Sequence, residues 1–210
     1  MNNVLKTIGW ADYSWNPITG CKRNCSYCYA KKIHNRFNSD IPFAQIIWHN
    51  ARVYEPLKVK KPSKIFVGSM SDIEYWDYKQ MEEILHIIKL CSRHTFLFLT
   101  KNGTVYKKYD FPLNCWLGVS TSNGEGYKFE VKDTKHIMFL SLEPLLNEPK
   151  GLWLNSLINW IIIGGLSPKP VHQKEWIDNI LKETNRLNIP VFIKDNVYYD
   201  KIIKNYPEGI

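Results

Sequence analysis

Six short apolar runs set the limits on what this chain can become: KIFVGS (64–69), HTFLFLT (94–100), CWLGVST (115–121), HIMFLSL (136–142), NWIIIGG (159–165) and PVFIK (190–194). Each is close to continuously apolar and does not alternate with polar residues. Strands read this way when both faces are covered, as in a parallel sheet packed beneath other elements. Successive runs start about 20 to 30 residues apart, the length of a βα unit. Between two pairs of them lie helical patterns. Residues 77–93 place Met81, Ile84, Leu85, Ile87, Ile88 and Cys91 on one stripe behind a capping Asp77. Residues 173–188 place Trp176, Ile177, Ile180, Leu181 and Leu187 on another, closed by Pro190. A further strand is expected near Tyr13–Thr19. The pattern predicts an α/β fold, a βα barrel or an incomplete one, with a doubly wound open sheet as the competing topology. At 210 residues, one domain over 1–210 is expected. With 44% hydrophobic and 23% charged residues, the chain is too apolar to be disordered.

Polar residues gather just past the expected strands: Ser69-Met70-Ser71-Asp72, Thr100-Lys101-Asn102, Ser120 to Asn123, Ser141 with Glu143, Gly164-Gly165 with Ser167, and Lys194-Asp195-Asn196. Parallel strands put all of these at one end of the sheet. Ligands bind there in both barrels and doubly wound folds. Turns are polar in any fold, so each residue alone says less than the set.

The loop expected after the first strand reads GCKRNCSYCYAKK (20–32). Cys21, Cys25 and Cys28 follow neither helical nor strand periodicity. By contrast, Cys91 lies on an apolar helix stripe and Cys115 opens a strand, so both are expected in the core. Three thiols in a loop leave three readings. A structural zinc site needs a fourth ligand, for which His34 or His49 stands nearest in sequence. A disulfide would leave one thiol over and does not suit a reducing compartment. An iron–sulfur cluster normally takes four thiolates, so three would leave one iron open for chemistry. Lys22, Arg23, Lys31, Lys32 and Arg36 would offset the negative charge of thiolates and cluster. Motifs of other enzyme classes are missing from the sequence: there is no G-x-x-x-x-G-K, H-E-x-x-H or G-x-S-x-G, and Gly124-Glu125-Gly126 is only a fragment of a dinucleotide fingerprint.

Lys and Arg total 28 against 20 Asp and Glu, a net charge of +8 that favours polyanionic partners. Trp10, Trp15 and Trp48 are candidate base-stacking surfaces, with core packing as the commoner role for such residues. The segment MNNVLKTIGW lacks the apolar core of a signal peptide, and no apolar run approaches the ~20 residues of a membrane span. A cytoplasmic location without membrane contact is expected.

The spacing Cys21-x3-Cys25-x-Tyr27-Cys28, with an aromatic before the third cysteine, resembles the signature of radical S-adenosylmethionine (radical SAM) enzymes. Tyr29-Ala30 after it is similar to the spore photoproduct lyase branch. Trp15-Asn16-Pro17, Thr19-Gly20-Cys21, FVGSMSD, FLTK, WLGVS, SLEPLL, IIGGLS and VFIKD occur in the order seen in a family of phage and bacterial proteins, often labelled phage-like, that carries this three-cysteine motif. The resemblance implies a partial (β/α)6 TIM-type barrel, a four-iron four-sulfur cluster on Cys21, Cys25 and Cys28, and S-adenosylmethionine at the open iron. It further implies Tyr27 near adenine and Ser69, Ser71 and Asp72 at the methionyl end, with Asp72 on the ammonium. Ser120 and Ser122 fall where ribose hydroxyls bind, and Gly164 and Gly165 where backbone approaches adenine or ribose. Lys101, Glu143 and Lys194 are candidates for substrate or cofactor contacts, the alternative for the last two being a mutual ion pair. An electron donor such as flavodoxin or ferredoxin would be needed. A nucleic acid or nucleotide is the expected substrate, lying across the open rim, or else a partner protein completes the site. The rival reading is a non-catalytic zinc-binding protein that holds nucleic acid or a partner.

Overall fold

The apolar runs become strands of a single sheet. A computed structural model of the protein describes residues 1–37, 40–149, 154 and 157–208. Strand β1 (Asn2–Asn3) pairs antiparallel with β2 (Tyr13–Trp15), and β3 (Ile18–Thr19) pairs antiparallel with β4 (Ile47–Trp48) in a separate ribbon. Then follow β5 (Lys64–Val67), β6 (Thr95–Thr100), β7 (Cys115–Thr121), β8 (Met138–Leu142), β9 (Trp160–Ile163) and β10 (Val191–Ile193). The eight-stranded sheet has the order β1-β2-β5-β6-β7-β8-β9-β10, and every pair after the first is parallel. The fold is therefore mixed α/β with a mostly parallel sheet that curls into a half-barrel.

The competing doubly wound topology requires the strand order to reverse, and here it runs straight through. Right-handed crossovers that always add the next strand on the same side place every connection on one face. The core divides accordingly. The helices are α1 (Tyr29–Phe37), the short α2 (Asn50–Val53), α3 (Tyr78–Leu90) and α4 (Lys174–Arg186). On one face Val67, Phe98, Leu117, Leu140 and Ile161 pack with Met81, Ile84 and Leu85 of α3 and Ile177 and Ile180 of α4. Asp77 caps α3 as expected, accepting from Lys79 N at 2.9 Å. The other face carries Phe66, Leu97, Trp116, Phe139, Trp160 and Phe192. Val4, Trp10 and Ala11 from the N-terminal segment close over it.

Two expectations need correction. The first strand does not run through Tyr13–Thr19; it breaks at Asn16-Pro17. Pro17 has no N–H for a ladder, and the Asn16 side chain is drawn off to bind Met70 N at 3.0 Å and the Ser69 hydroxyl. The βα alternation is also incomplete. A 3-10 turn (Gly103–Lys108) stands between β6 and β7, and no helix lies among the described residues between β7 and β9. Rings cover that part of the outer face. Phe111 packs edge-on to Phe98 at 5.1 Å and to Tyr106 at 5.5 Å, and Tyr106 donates to Gly118 O at 2.6 Å. Trp10 and Trp15 are 1% and 0% exposed, so they are core residues and offer no stacking surface, while Trp48 packs half-buried against the core.

Gly118 sits opposite Phe139 in the ladder. A Cβ there would lie 2.3 Å from Phe139 Cζ, against a ring that is itself fully buried. Gly118→Ala should overpack this layer and cost about 1–3 kcal/mol, read as an earlier urea midpoint at unchanged m-value.

Candidate functional site

The parallel strands of the sheet all end on one rim, and the cysteine loop is tied to it. Gly20 N donates to Met70 O at 3.0 Å, and Gly20 forms an isolated bridge to Ser71 just past β5. Cys21 N donates to Phe43 O at 2.8 Å. Only glycine suits position 20: its φ is +97°, and a Cβ would stand 2.0 Å from Gln45 O. Beyond the loop, Cys28 leads into α1 (Tyr29–Phe37), and its Sγ accepts from Lys31 N at 3.4 Å. Arg23 forms an ion pair with Glu74, which also accepts from Asn102 Nδ2 at 2.9 Å. Burial alone would raise the Glu74 carboxyl. The hydrogen bonds from Asn102 and Arg23, with the guanidinium charge, outweigh that and hold it below the usual carboxylate range. The loop is thus latched to the ends of both β5 and β6.

Several expected contact residues also serve as joints of the scaffold. Asp72, 7% exposed, accepts from Thr100 Oγ1 at 2.5 Å, Lys101 N at 3.1 Å and Glu74 N at 3.1 Å. Its carboxylate caps the turn Ile73–Tyr75 and clamps the end of β6. Ser69 Oγ bonds Asn16, and Ser71 Oγ accepts from Trp76 Nε1 at 3.0 Å. Gly164 and Gly165 make room for protein: a Cβ on Gly164 would meet Glu143 Cδ at 2.6 Å, and one on Gly165 would meet Asn196 O at 2.3 Å.

The remaining residues form a polar mouth. Lys101 Nζ lies 5.3 Å from the Tyr27 ring centroid and 3.4 Å from Ser120 Oγ. Ser120 Oγ in turn donates to Glu143 O at 3.0 Å. Glu143, lying across Gly164, pairs with Lys194, so the mutual ion pair anticipated for them is present. Ser122 lies half-buried beyond β7, its carbonyl accepting from Leu146 N at 2.9 Å. Tyr29, which the sequence offers only as part of the Tyr29-Ala30 resemblance, reaches the mouth as well. Its ring is half in solvent while its hydroxyl end turns inward and donates to Ser69 O at 2.6 Å; burial of that end, then the nearby Glu143 charge, push the phenol above its ordinary value. Ser141, fully buried on the strand leading to Glu143, has a hydroxyl without a partner among the described residues.

All five cysteines are free. Cys91 and Cys115 are buried in the core, as their patterns implied, while Cys21, Cys25 and Cys28 are half-buried. Burial pushes the Cys21 thiol up to about 11; a hydrogen bond with the Arg23 backbone opposes this, and the charges of Asp72, Cys28 and Cys25 add to it. Without a bound cation, Cys21 would be mostly thiol at pH 8. Iodoacetamide should therefore label Cys21 slowly at pH 8 and faster as pH rises toward 11. Rapid labelling of that peptide at pH 8, read by mass spectrometry, would contradict the burial of Cys21.

Among the described residues no three His, Cys, Asp or Glu side chains are gathered as a metal ion requires. By chemistry the donor set does fit a thiolate-ligated centre: three soft donors in one loop, with no acid from Gly20 through Phe37. A fourth protein ligand is harder to find. His34 is buried, with Nε2 2.6 Å from Ile41 O, and His49 Nε2 is 2.8 Å from Thr19 Oγ1.

The fold and site together define an α/β protein with a three-cysteine loop over the rim where its parallel strands end. Within that class the chain belongs to the DUF5131 family, a protein family of unknown function, whose profile it matches over residues 6–205. No curated protein matches it. No solved structure does either.

Proposed function

We propose that the protein is a radical S-adenosylmethionine enzyme acting on a nucleic acid or nucleotide, with the half-barrel read as a partial (β/α)6 barrel. The observation that carries this is the cysteine loop fastened over the rim, beside a mouth that collects Tyr29, Lys101, Ser120, Glu143 and Lys194. Cys21, Cys25 and Cys28 would hold a four-iron four-sulfur cluster. When bound, that cluster and S-adenosylmethionine supply one-electron cleavage of a sulfonium and hydrogen abstraction.

The chain's own residues supply position, charge and dryness. The Asp72 clamp and the Arg23–Glu74 latch hold the loop against the sheet. Lys101 and the Glu143–Lys194 pair present both signs of charge, suited to a zwitterionic cofactor or a phosphate-bearing substrate. Tyr29 keeps its proton and walls the mouth. The buried rings of Phe139 and Trp160 make the face of the sheet that carries them apolar and dry. The net charge of +8 supports a polyanionic substrate. An electron donor such as flavodoxin or ferredoxin is part of this reading, as is a cytoplasmic location. No helix among the described residues is long and apolar enough to cross a membrane.

The test is formation of 5′-deoxyadenosine from S-adenosylmethionine by anaerobically reconstituted, dithionite-reduced protein, beside a Cys25→Ala control. Cys25-dependent product supports the proposal. Stoichiometric zinc with no iron–sulfur centre would replace it with the zinc-binding reading.

A further inference from the structure

The first helix carries an apolar stripe that stands largely exposed among the described residues. Ala30 and His34 of α1 face the interior. Beside them, Tyr29, Ile33 and Phe37 recur every four residues and are 51%, 45% and 71% exposed. At 100° per residue, Lys32 and Arg36 line the far edge of that stripe, and both are exposed. Arg36 stacks its guanidinium 5.4 Å from the Phe37 ring centroid. Exposed Lys22 extends the positive field back along the cysteine loop. The near end of the stripe is Tyr29, whose hydroxyl is bound at the mouth.

Exposed aromatic rings beside a one-signed charge row need a ligand with flat apolar faces and regular negative charge. The stripe is one side chain wide and about 12 Å long from Tyr29 to Phe37 at 1.5 Å per residue. That is too small to be the core of a stable protein interface, which takes about 800 Å² per partner. A single nucleic-acid strand is narrow enough, offers bases to stack and phosphates to pair, and leaves its bases free to do so, unlike a duplex.

We propose that the Tyr29–Ile33–Phe37 stripe with Lys32 and Arg36 binds single-stranded nucleic acid and leads it to the mouth. This deepens the nucleic-acid part of the proposed function and is independent of its radical part, because binding is read without S-adenosylmethionine or turnover. The probe is a fluorescent twelve-nucleotide oligothymidylate, titrated by anisotropy into the full chain at 50 and 200 mM salt, beside a duplex of the same length. The strand should bind more tightly than the duplex. Phe37→Ala should weaken binding roughly 5- to 100-fold, the range for losing one stacked base. Arg36→Ala should reduce the salt slope by about 0.7, the share of one phosphate contact on a single strand. Leu113→Ala, an exposed apolar residue outside this stripe, should change nothing. Phe37 is mostly solvent-exposed, so an unchanged thermal melt separates lost binding from lost folding. Equal binding by Phe37→Ala overturns the proposal, as does preference for duplex. So does failure of the strand to bind while an acidic ferredoxin binds in a Phe37-dependent way, which would make the stripe a protein-docking surface.

Discussion

Cys25→Ala should eliminate 5′-deoxyadenosine formation and strip the reconstituted protein of its iron–sulfur absorbance. Removing an outer-shell partner of a metal ligand costs 10- to 100-fold in affinity or activity, and losing one of three ligands should exceed about 100-fold. Among the described residues no group of three possible metal ligands is gathered, and the obvious replacements are engaged elsewhere. The loop's two nearest histidines are engaged with Ile41 O and Thr19 Oγ1, and Asp72 is committed to three donors. Folding should survive, because Cys25 is half-buried in a loop held by backbone contacts of its neighbours, Gly20 and Cys21. Cys115→Ala supplies the contrast: it removes a fully buried thiol from the core and should leave iron content unchanged while lowering stability. Iron per chain, absorbance and product should be measured together on both variants. Loss of all three with Cys25→Ala alone supports the proposed chemistry. Equal iron in Cys25→Ala and wild type would refute the assignment of this cysteine.

Trp160→Ala should be the most damaging core change. The indole is fully buried at the centre of the face closed by the N-terminal segment. Its ring centroid lies 5.2 Å from Tyr206, 5.5 Å from Phe139, 5.6 Å from Trp116, 6.2 Å from Phe192 and 6.4 Å from Trp10. Its Nε1 also donates to Asn205 O at 2.8 Å. Truncation removes a large apolar area, leaves a cavity among rings that cannot all collapse into it, and orphans that carbonyl. The expected cost is about 3–5 kcal/mol, a large part of the ~5–15 kcal/mol that holds a typical domain together. Urea unfolding should show the midpoint fall by on the order of 1–2 M. A fall under half that size would mean that the segment carrying Trp10 and Val4 can repack onto the strands.

Much of the sheet was legible because burial on both faces leaves a direct mark. A strand packed on two sides needs apolar residues at every position, and CWLGVST became Cys115–Thr121 without adjustment. Asp77 announced α3 because a carboxylate that caps a helix must stand immediately before it. The missing crossover helices were harder to see. Phe111 and Phe129 from irregular segments and Tyr106 from a short 3-10 turn cover the outer face, and ring contacts across loops have no sequence period. Trp10 was opaque for a similar reason, since it comes from a non-periodic segment that the fold turns onto the open face.

At the candidate site, sequence alone determined the inventory. Strand ends collect polar residues, three cysteines sit in one basic loop, and parallel strands send them to a common rim. Tertiary structure decided which of those residues are spoken for. Asp72, Ser69 and Ser71 are candidate ligand contacts in a string of letters, and folding also gives each a protein partner: Thr100, Asn16 and Trp76. Gly164 and Gly165 read as places of close backbone approach, and the folded chain sets Glu143 and Asn196 against them. The physical reason is that a buried polar group must find a partner. Which partner it finds depends on distances across the sheet, and only the folded chain sets those.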